Sequence, residues 1–147
     1  MNPKEITQLR TQLMSLVRRM RRETRSDEKS WAQLLLLGAI DRHGGMATPS
    51  VLAESEGMRT SNLAAALRTL EADGLLKRIR DAEDGRKVRV ILTEKGLGLL
   101  HESRIQRETW LSNAMEYSLT TEEQKLLIDA GNLMERIANV PPLKENY

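Results

Sequence analysis

The 147 residues include no cysteine and no phenylalanine, and only two tryptophans and two tyrosines. Lack of cysteine excludes disulfides, thiolate nucleophiles, cysteine–zinc sites and thiol-based redox switches. Aromatics stand at 3%, and Leu, Ile, Met and Ala supply most of the apolar content, a balance that favours helix over sheet. Long apolar runs are also missing. The longest, Trp31 to Ile40, is interrupted by Gln33 and falls far short of the roughly 18 to 20 residues a bilayer span needs; it reads as a buried helix. The N-terminus has no apolar signal core, which places the expected site of action in the cytoplasm. The two histidines, His43 and His101, stand in no metal-ligand spacing. There is no Gly-rich phosphate loop, no Gly-flanked serine elbow and no histidine with an obvious orienting acid. The expectation is a protein with no metal, no cofactor and no enzymatic centre.

What is present is enough for one domain of ordinary size, with 39% apolar residues. The net charge is only +2, but its distribution is uneven. Residues 1 to 25 carry seven Lys/Arg against two Glu, and residues 59 to 90 carry eight against five. Residues 102 to 147 reverse the sign, with five against eight. A basic first two-thirds and an acidic tail suggest that one face meets a polyanion.

Hydrophobic spacing then lays out the chain. Ile6, Leu9, Leu13, Leu16, Val17 and Met20 recur at three- and four-residue steps, an amphipathic helix whose polar face ends in Arg18, Arg19, Arg21, Arg22 and Arg25. A second helix should begin near Asp27 or Ser30 and run to about Arg42, burying Trp31, Leu34, Leu35 and Ile40, with His43-Gly44-Gly45 as its stop. Thr48-Pro49 has the cap and first-turn chemistry for a short helix over Ser50 to Glu56. Gly57 breaks it, and a further amphipathic helix follows from Thr60 to Asp73, closed by Gly74. Two short helices joined by a tight Gly-containing turn are a helix-turn-helix.

The period next changes from 3.6 to 2. Leu75 to Arg80 and Lys87 to Leu92 read as two strands around the polar loop Asp81-Ala82-Glu83-Asp84-Gly85-Arg86, with a turn at Asp84-Gly85. Thr93 can cap a long helix from Glu94 to about Tyr117. Thr120 and Glu123 form a capping box for a last helix ending near Asn139, before Pro141-Pro142. The fold class is therefore mainly α with a small β-hairpin: a winged helix-turn-helix, expected over 26–93, flanked by helical regions at 1–25 and 94–147.

On the Thr60–Asp73 helix, Leu63, Ala66, Leu67 and Leu70 share one face, while Ser61, Asn62, Ala65, Arg68, Thr69 and Ala72 share the other. The second set suits a major-groove reader, with short hydroxyl and amide groups near the N-terminus and small alanines that permit close approach. Asn pairs with adenine edges, Ser and Thr with bases or phosphates, and Arg with guanine or phosphate. Arg59 and Thr60 lie at the helix N-terminus, where phosphate is favoured. Arg86 sits at or beside the hairpin tip with Lys87 and Arg89 following and Lys77, Arg78 and Arg80 on the partner strand. One arginine on a loop can enter a narrow A·T minor groove. Asp84, two residues earlier, is placed to hold its guanidinium.

At this point residues 48 to 96 resemble the MarR family of bacterial regulators. The resemblance rests on Leu52-Ala53, Leu70-Glu71, Gly74-Leu75, Arg78, Asp81-x-x-Asp84-x-Arg86, Val90 and Leu92-Thr93-Glu94-Lys95-Gly96. It implies an obligate homodimer with interlocking first, fifth and sixth helices, and recognition helices in successive major grooves of a pseudo-palindromic operator. The family's wing arginine falls on Arg86 and its supporting aspartate on Asp84. Two departures stand out. Ala64 and Ala65 occupy the middle of the recognition helix, where the family often has Thr and Arg, so Asn62 and Arg68 would take over those contacts. Gly85 replaces a basic residue common beside the wing arginine.

The resemblance also implies a small, mostly apolar effector between the dimer helices and the winged helix, where Trp31 and Trp110 could line a crevice with Met14 or Met115 nearby. Dimerisation follows independently, since the outer helices carry apolar stripes that one short chain has no second layer to cover. The expected protein is a homodimeric, bacterial, nucleoid-associated transcriptional repressor of double-stranded DNA, released by a ligand. The rival expectation is a winged-helix module for protein–protein assembly with an incidental basic hairpin.

Overall fold

The computed structural model describes residues 1–24 and 29–142. Its elements are α1 (Pro3–Glu23), α2 (Trp31–Arg42), α3 (Pro49–Ser55), α4 (Thr60–Ala72), β1 (Leu76–Arg80), β2 (Val88–Leu92), α5 (Glu94–Ser118) and α6 (Thr121–Ala138). This is the expected mainly α order with one antiparallel hairpin. Two compact units divide the chain, Met1–Arg107 and Glu108–Tyr147.

Local chemistry accounts for most of the boundaries. Ser30, not Asp27, caps α2: its hydroxyl accepts from the Gln33 N–H while the Gln33 side chain accepts from the Ser30 N–H, a reciprocal capping box. Asp27, like Arg25 of the expected basic face, lies outside the described residues. Thr48 caps α3 ahead of Pro49, and Thr120 with Glu123 forms the box expected for α6. At the end of α4, Gly74 takes a φ of 75°, a conformation that a side chain would strain. That turn lets the Leu75 N–H reach back to the Leu70 carbonyl at 3.0 Å, and both leucines are buried.

In the first unit, α2, α3, α4 and the hairpin close one core. Leu37, Ile40, Leu52, Leu63, Leu67, Leu70, Leu75 and Val90 are almost fully buried there, with Leu100 of α5. The α2 faces differ from the expectation. Leu35 is 43% exposed, whereas Leu36 and Leu37, not singled out from sequence, are in the core. Trp31 is only half-buried. Leucine runs continuously from 34 to 37, so periodicity offers no contrast by which to choose a face. The expected strand pairing holds with the register Leu76↔Leu92, Arg78↔Val90 and Arg80↔Val88. The Val90 N–H also donates to the Ala47 carbonyl at 2.8 Å, which fastens the hairpin to the chain just before α3.

The hairpin leads into α5 through a close junction. The Thr93 N–H donates to the Leu75 carbonyl, and its hydroxyl both donates to the Gly74 carbonyl at 2.6 Å and accepts from the Gly96 N–H. Lys95 donates to the Asp73 carbonyl at the end of α4. Gly96 is buried, and a Cβ at this position would stand 2.0 Å from the Leu75 oxygen. Backbone would have to move to admit it.

Gly96→Ala should therefore lower stability by about 1–3 kcal/mol, the usual cost of overpacking. Gly98→Ala two residues on, where nothing lies within 4 Å, should be neutral or stabilising by up to about 1 kcal/mol. Urea denaturation of both variants checks this; equal midpoints would contradict the junction geometry.

Candidate nucleic-acid interface

α4 presents its two faces as its sequence pattern requires. Leu63, Leu67 and Leu70 are buried with Ala66 half-buried, while Arg59, Thr60, Ser61, Asn62, Ala65, Arg68, Thr69 and Ala72 are all exposed except that Ala64 on the flank is half-buried. Arg59 occupies the N-cap position without a side-chain cap, so the first N–H groups of α4 meet no side-chain acceptor. Among the described residues the Ser61 hydroxyl and the Asn62 amide form no hydrogen bond within the chain. Thr69 is different: its hydroxyl donates to the Ala65 carbonyl at 3.2 Å, which leaves its oxygen only as an acceptor.

The wing between β1 and β2 is organised in layers. The Asp81 N–H donates to the Lys87 carbonyl at 2.9 Å, extending the ladder by one rung, and the Lys87 N–H donates to the Asp84 carbonyl at 2.9 Å. The tip is thus a turn over Asp84–Lys87 with Gly85 and Arg86 at its centre. The expected Asp84 role is corrected in kind. Asp84 accepts from the Arg86 backbone N–H at 3.1 Å, and no ion pair joins it to the guanidinium among the described residues. The carboxylate that grips a guanidinium is Asp81, whose Oδ2 accepts from Arg89 Nη2 at 2.7 Å and Nε at 3.1 Å. Its Oδ1 accepts from the Glu83 N–H at 2.9 Å and, longer, from the Asp84 N–H.

Sequence reasoning missed this pair because Arg89 is eight residues away. The signal lay in the register. Asp81 stands across from Lys87, so Arg89 is its diagonal neighbour, within reach of a long side chain. The Glu83 N–H, then Arg89, hold the Asp81 carboxyl below the ordinary aspartate value.

Internal pairing reshapes the local charge. Arg78 Nε donates to Glu71 at 2.7 Å, Lys29 pairs with Asp73, and Arg89 with Asp81. Three of the five acids between 59 and 90 are therefore neutralised, whereas Arg59, Arg68, Lys77, Arg80, Arg86 and Lys87 have no ion-pair partner among the described residues. Arg78 and Arg89, on the two strands of the wing, are tied down. Thr60, Arg86 and Lys87 come together with Ser50 and Val51 around one cleft of about 760 Å³.

The two tryptophans fall in different units. The Arg107 guanidinium lies 5.4 Å from the Trp31 ring centroid, a cation–π distance, and Trp110 is half-buried. No cluster of three metal-ligating side chains occurs among the described residues, and no helix there is long and apolar enough to cross a membrane.

Residues 30–87, from the α2 cap through the wing tip, match the model of the MarR family. An HTH-type transcriptional regulator of Mycobacterium bovis is 30% identical over 88% of this chain and 90% of its own length. The chain belongs to the MarR family. A Pseudomonas aeruginosa crystal structure, of a protein put forward as a transcriptional regulator, shares 44% identity over 94% of this chain and 95% of that one, with a TM-score of 0.82. A mutant MarR of Escherichia coli, complexed with operator DNA, has the same fold at a TM-score of 0.66, with 21% identity over 90% of this chain and 95% of that one. As a MarR-family winged helix, the chain keeps an open wing tip: Gly85 has no atom within 4 Å of the position a Cβ would take.

The Asp81 environment gives a pH signature. A depressed carboxyl adds stability above its unfolded-state titration, and that contribution is lost as pH falls through the folded-state value. Carboxyl carbon NMR should place the Asp81 midpoint below about 3.9. Arg89→Ala should raise it only part of the way, since the Glu83 N–H remains. A midpoint at the ordinary value in the native chain would contradict the hydrogen-bond geometry.

Proposed function

We propose that this chain is a sequence-specific reader of double-stranded DNA that works as a homodimer on a pseudo-palindromic operator and represses transcription there. The observation that carries this reading is the charge sorting in the first unit. The nearby acids are mostly internally paired, while Arg59 and Arg68 of α4 and Arg86 and Lys87 of the wing remain free and exposed. A solvated surface with no polyanionic partner has no need of such an imbalance.

Roles follow from chemistry. Asn62 reads an adenine edge, Ser61 and Thr60 contact base or phosphate, and Arg68 contacts guanine or phosphate from the next turn. Ala65, with Thr69 beyond it, allows close approach to the groove floor. Arg59 and the uncapped start of α4 favour a backbone phosphate. Arg86 enters the minor groove, Asp84 shapes the turn that carries it, and Lys87 neutralises a flanking phosphate. The operator-bound structure of Escherichia coli MarR, alike in fold, supports the choice of partner.

The homodimer reading draws on exposed apolar stripes. α1 leaves Ile6, Leu9, Met14, Leu16 and Val17 exposed and buries no residue. α6 does the same with Leu126, Ile128, Leu133 and Ile137. Stripes of this length on two helices are what a second subunit covers. Regions 1–25 and 94–147 form the dimerisation part in this reading and 26–93 the reading head. A small apolar effector that loosens the heads completes the proposal.

Arg86→Ala should cost about 1–3 kcal/mol of operator affinity in an electrophoretic shift assay and leave the oligomeric state unchanged. Unaltered affinity would remove the wing from the interface. Leu133→Asp should shift the mass measured by light scattering toward the monomer and weaken operator binding together. A stable monomer that still binds the whole operator tightly would overturn the dimer.

A further inference from the structure

Arg89 lies on the wing, carries a positive charge and follows the tip by three residues, which would make it a natural phosphate contact. The geometry assigns it elsewhere. Both of its donated hydrogen bonds go to one oxygen of Asp81, whose side chain is only 10% exposed. The other Asp81 oxygen accepts from the Glu83 and Asp84 N–H groups. One carboxylate thus collects an arginine from β2 and two backbone amides from the loop leading to the tip. Asp84, whose N–H nitrogen stands 3.5 Å from the Asp81 carboxylate, in turn holds the Arg86 N–H with its side chain. The chain of contacts runs Arg89, Asp81, Asp84, Arg86.

We propose that Asp81, held by Arg89, is the positioning residue of the wing: it fixes the loop so that Arg86 is presented outward in one conformation, and Arg89 is thereby withdrawn from nucleic-acid contact. This rests on the DNA-binding reading above and names a residue that the reading does not require. The physical case is one of preorganisation. A six-residue polar loop with Gly85 at its turn loses considerable backbone freedom when an arginine on it is seated in a groove. Ordering the loop beforehand removes that cost from binding. The negative charge needed to order it would repel phosphate if left alone; the Arg89 pairing neutralises it.

The proposal makes a prediction opposite in sign to simple electrostatics. Asp81→Asn removes a negative charge beside the interface and frees Arg89, so a charge-only account predicts tighter DNA binding and a steeper salt slope. A positioning role predicts weaker binding. The test uses the full chain, an A·T-rich duplex of about three helical turns, and four proteins: native, Asp81→Asn, Arg86→Ala and the double variant. Amide hydrogen exchange at Glu83 and Asp84 and the melting temperature are read without DNA.

The expected result is faster exchange at both amides in Asp81→Asn, with little change in melting temperature and roughly tenfold weaker duplex binding. Arg86→Ala should then cost about tenfold or more in the native background but less than about threefold in Asp81→Asn, the non-additivity of residues that act through one another. Equal losses in both backgrounds, or tighter binding by Asp81→Asn, would overturn the positioning role while the DNA-binding reading stands. Faster amide exchange with Arg86→Ala binding the duplex as the native chain does would instead overturn the wing's part in DNA binding, and the positioning role with it.

Discussion

Where α5 begins, its first turn rests on the peptide backbone of Leu75, and the placement of α4 and the hairpin is set at that contact. Gly96 makes the approach possible, Thr93 bonds the carbonyl of Gly74 and the N–H of Gly96, and Lys95 reaches the carbonyl of Asp73. Three elements meet within a few residues: the end of α4, the start of β1 and the start of α5. Close packing of this kind has little compliance. The direction in which α4 exposes its polar face, and the direction in which the hairpin leaves the core, are both referred to it.

From that fixed junction the chain sorts its charges. Glu71, Asp73 and Asp81 each take a cation from a neighbouring element, and these pairs brace the ends of α4 and the wing. The Arg78–Glu71 pair is open to solvent and contributes little to stability on its own, whereas the other two are partly buried. Their larger consequence is electrostatic, because they remove acids from a surface on which Arg59, Arg68, Arg86 and Lys87 remain uncompensated. The same pair that orders the wing removes one acid from beside Arg86 and Lys87.

Much of this was legible in the sequence, and for identifiable reasons. Ser30 and Gln33, Thr120 and Glu123, Thr48 with Pro49, and Gly74 are local signals whose chemistry is complete within a few residues, so element order and boundaries followed directly. The α4 faces were legible because Leu63, Ala66, Leu67 and Leu70 fall at helical spacing while the other face holds only polar residues and alanine. Two things were not. The α2 run of consecutive leucines offers every face to the core, and only the neighbours decide that Leu36 and Leu37 go in while Leu35 stays out. The wing misled in another way: sequence proximity pointed to Asp84 as partner of the Arg86 guanidinium, where it accepts from the Arg86 N–H, and the Asp81–Arg89 pair went unseen because spacing alone cannot display register.

The account stands or falls on whether the free cations of α4 and the wing meet a defined DNA sequence. The most direct measurement is selection of fragments from genomic DNA by the purified full-length chain, read out by sequencing at several salt concentrations. The account predicts an enriched pseudo-palindrome whose half-sites lie about one helical turn apart, with affinity falling steeply as salt rises. Weak binding with no enriched motif and little dependence on salt would contradict it.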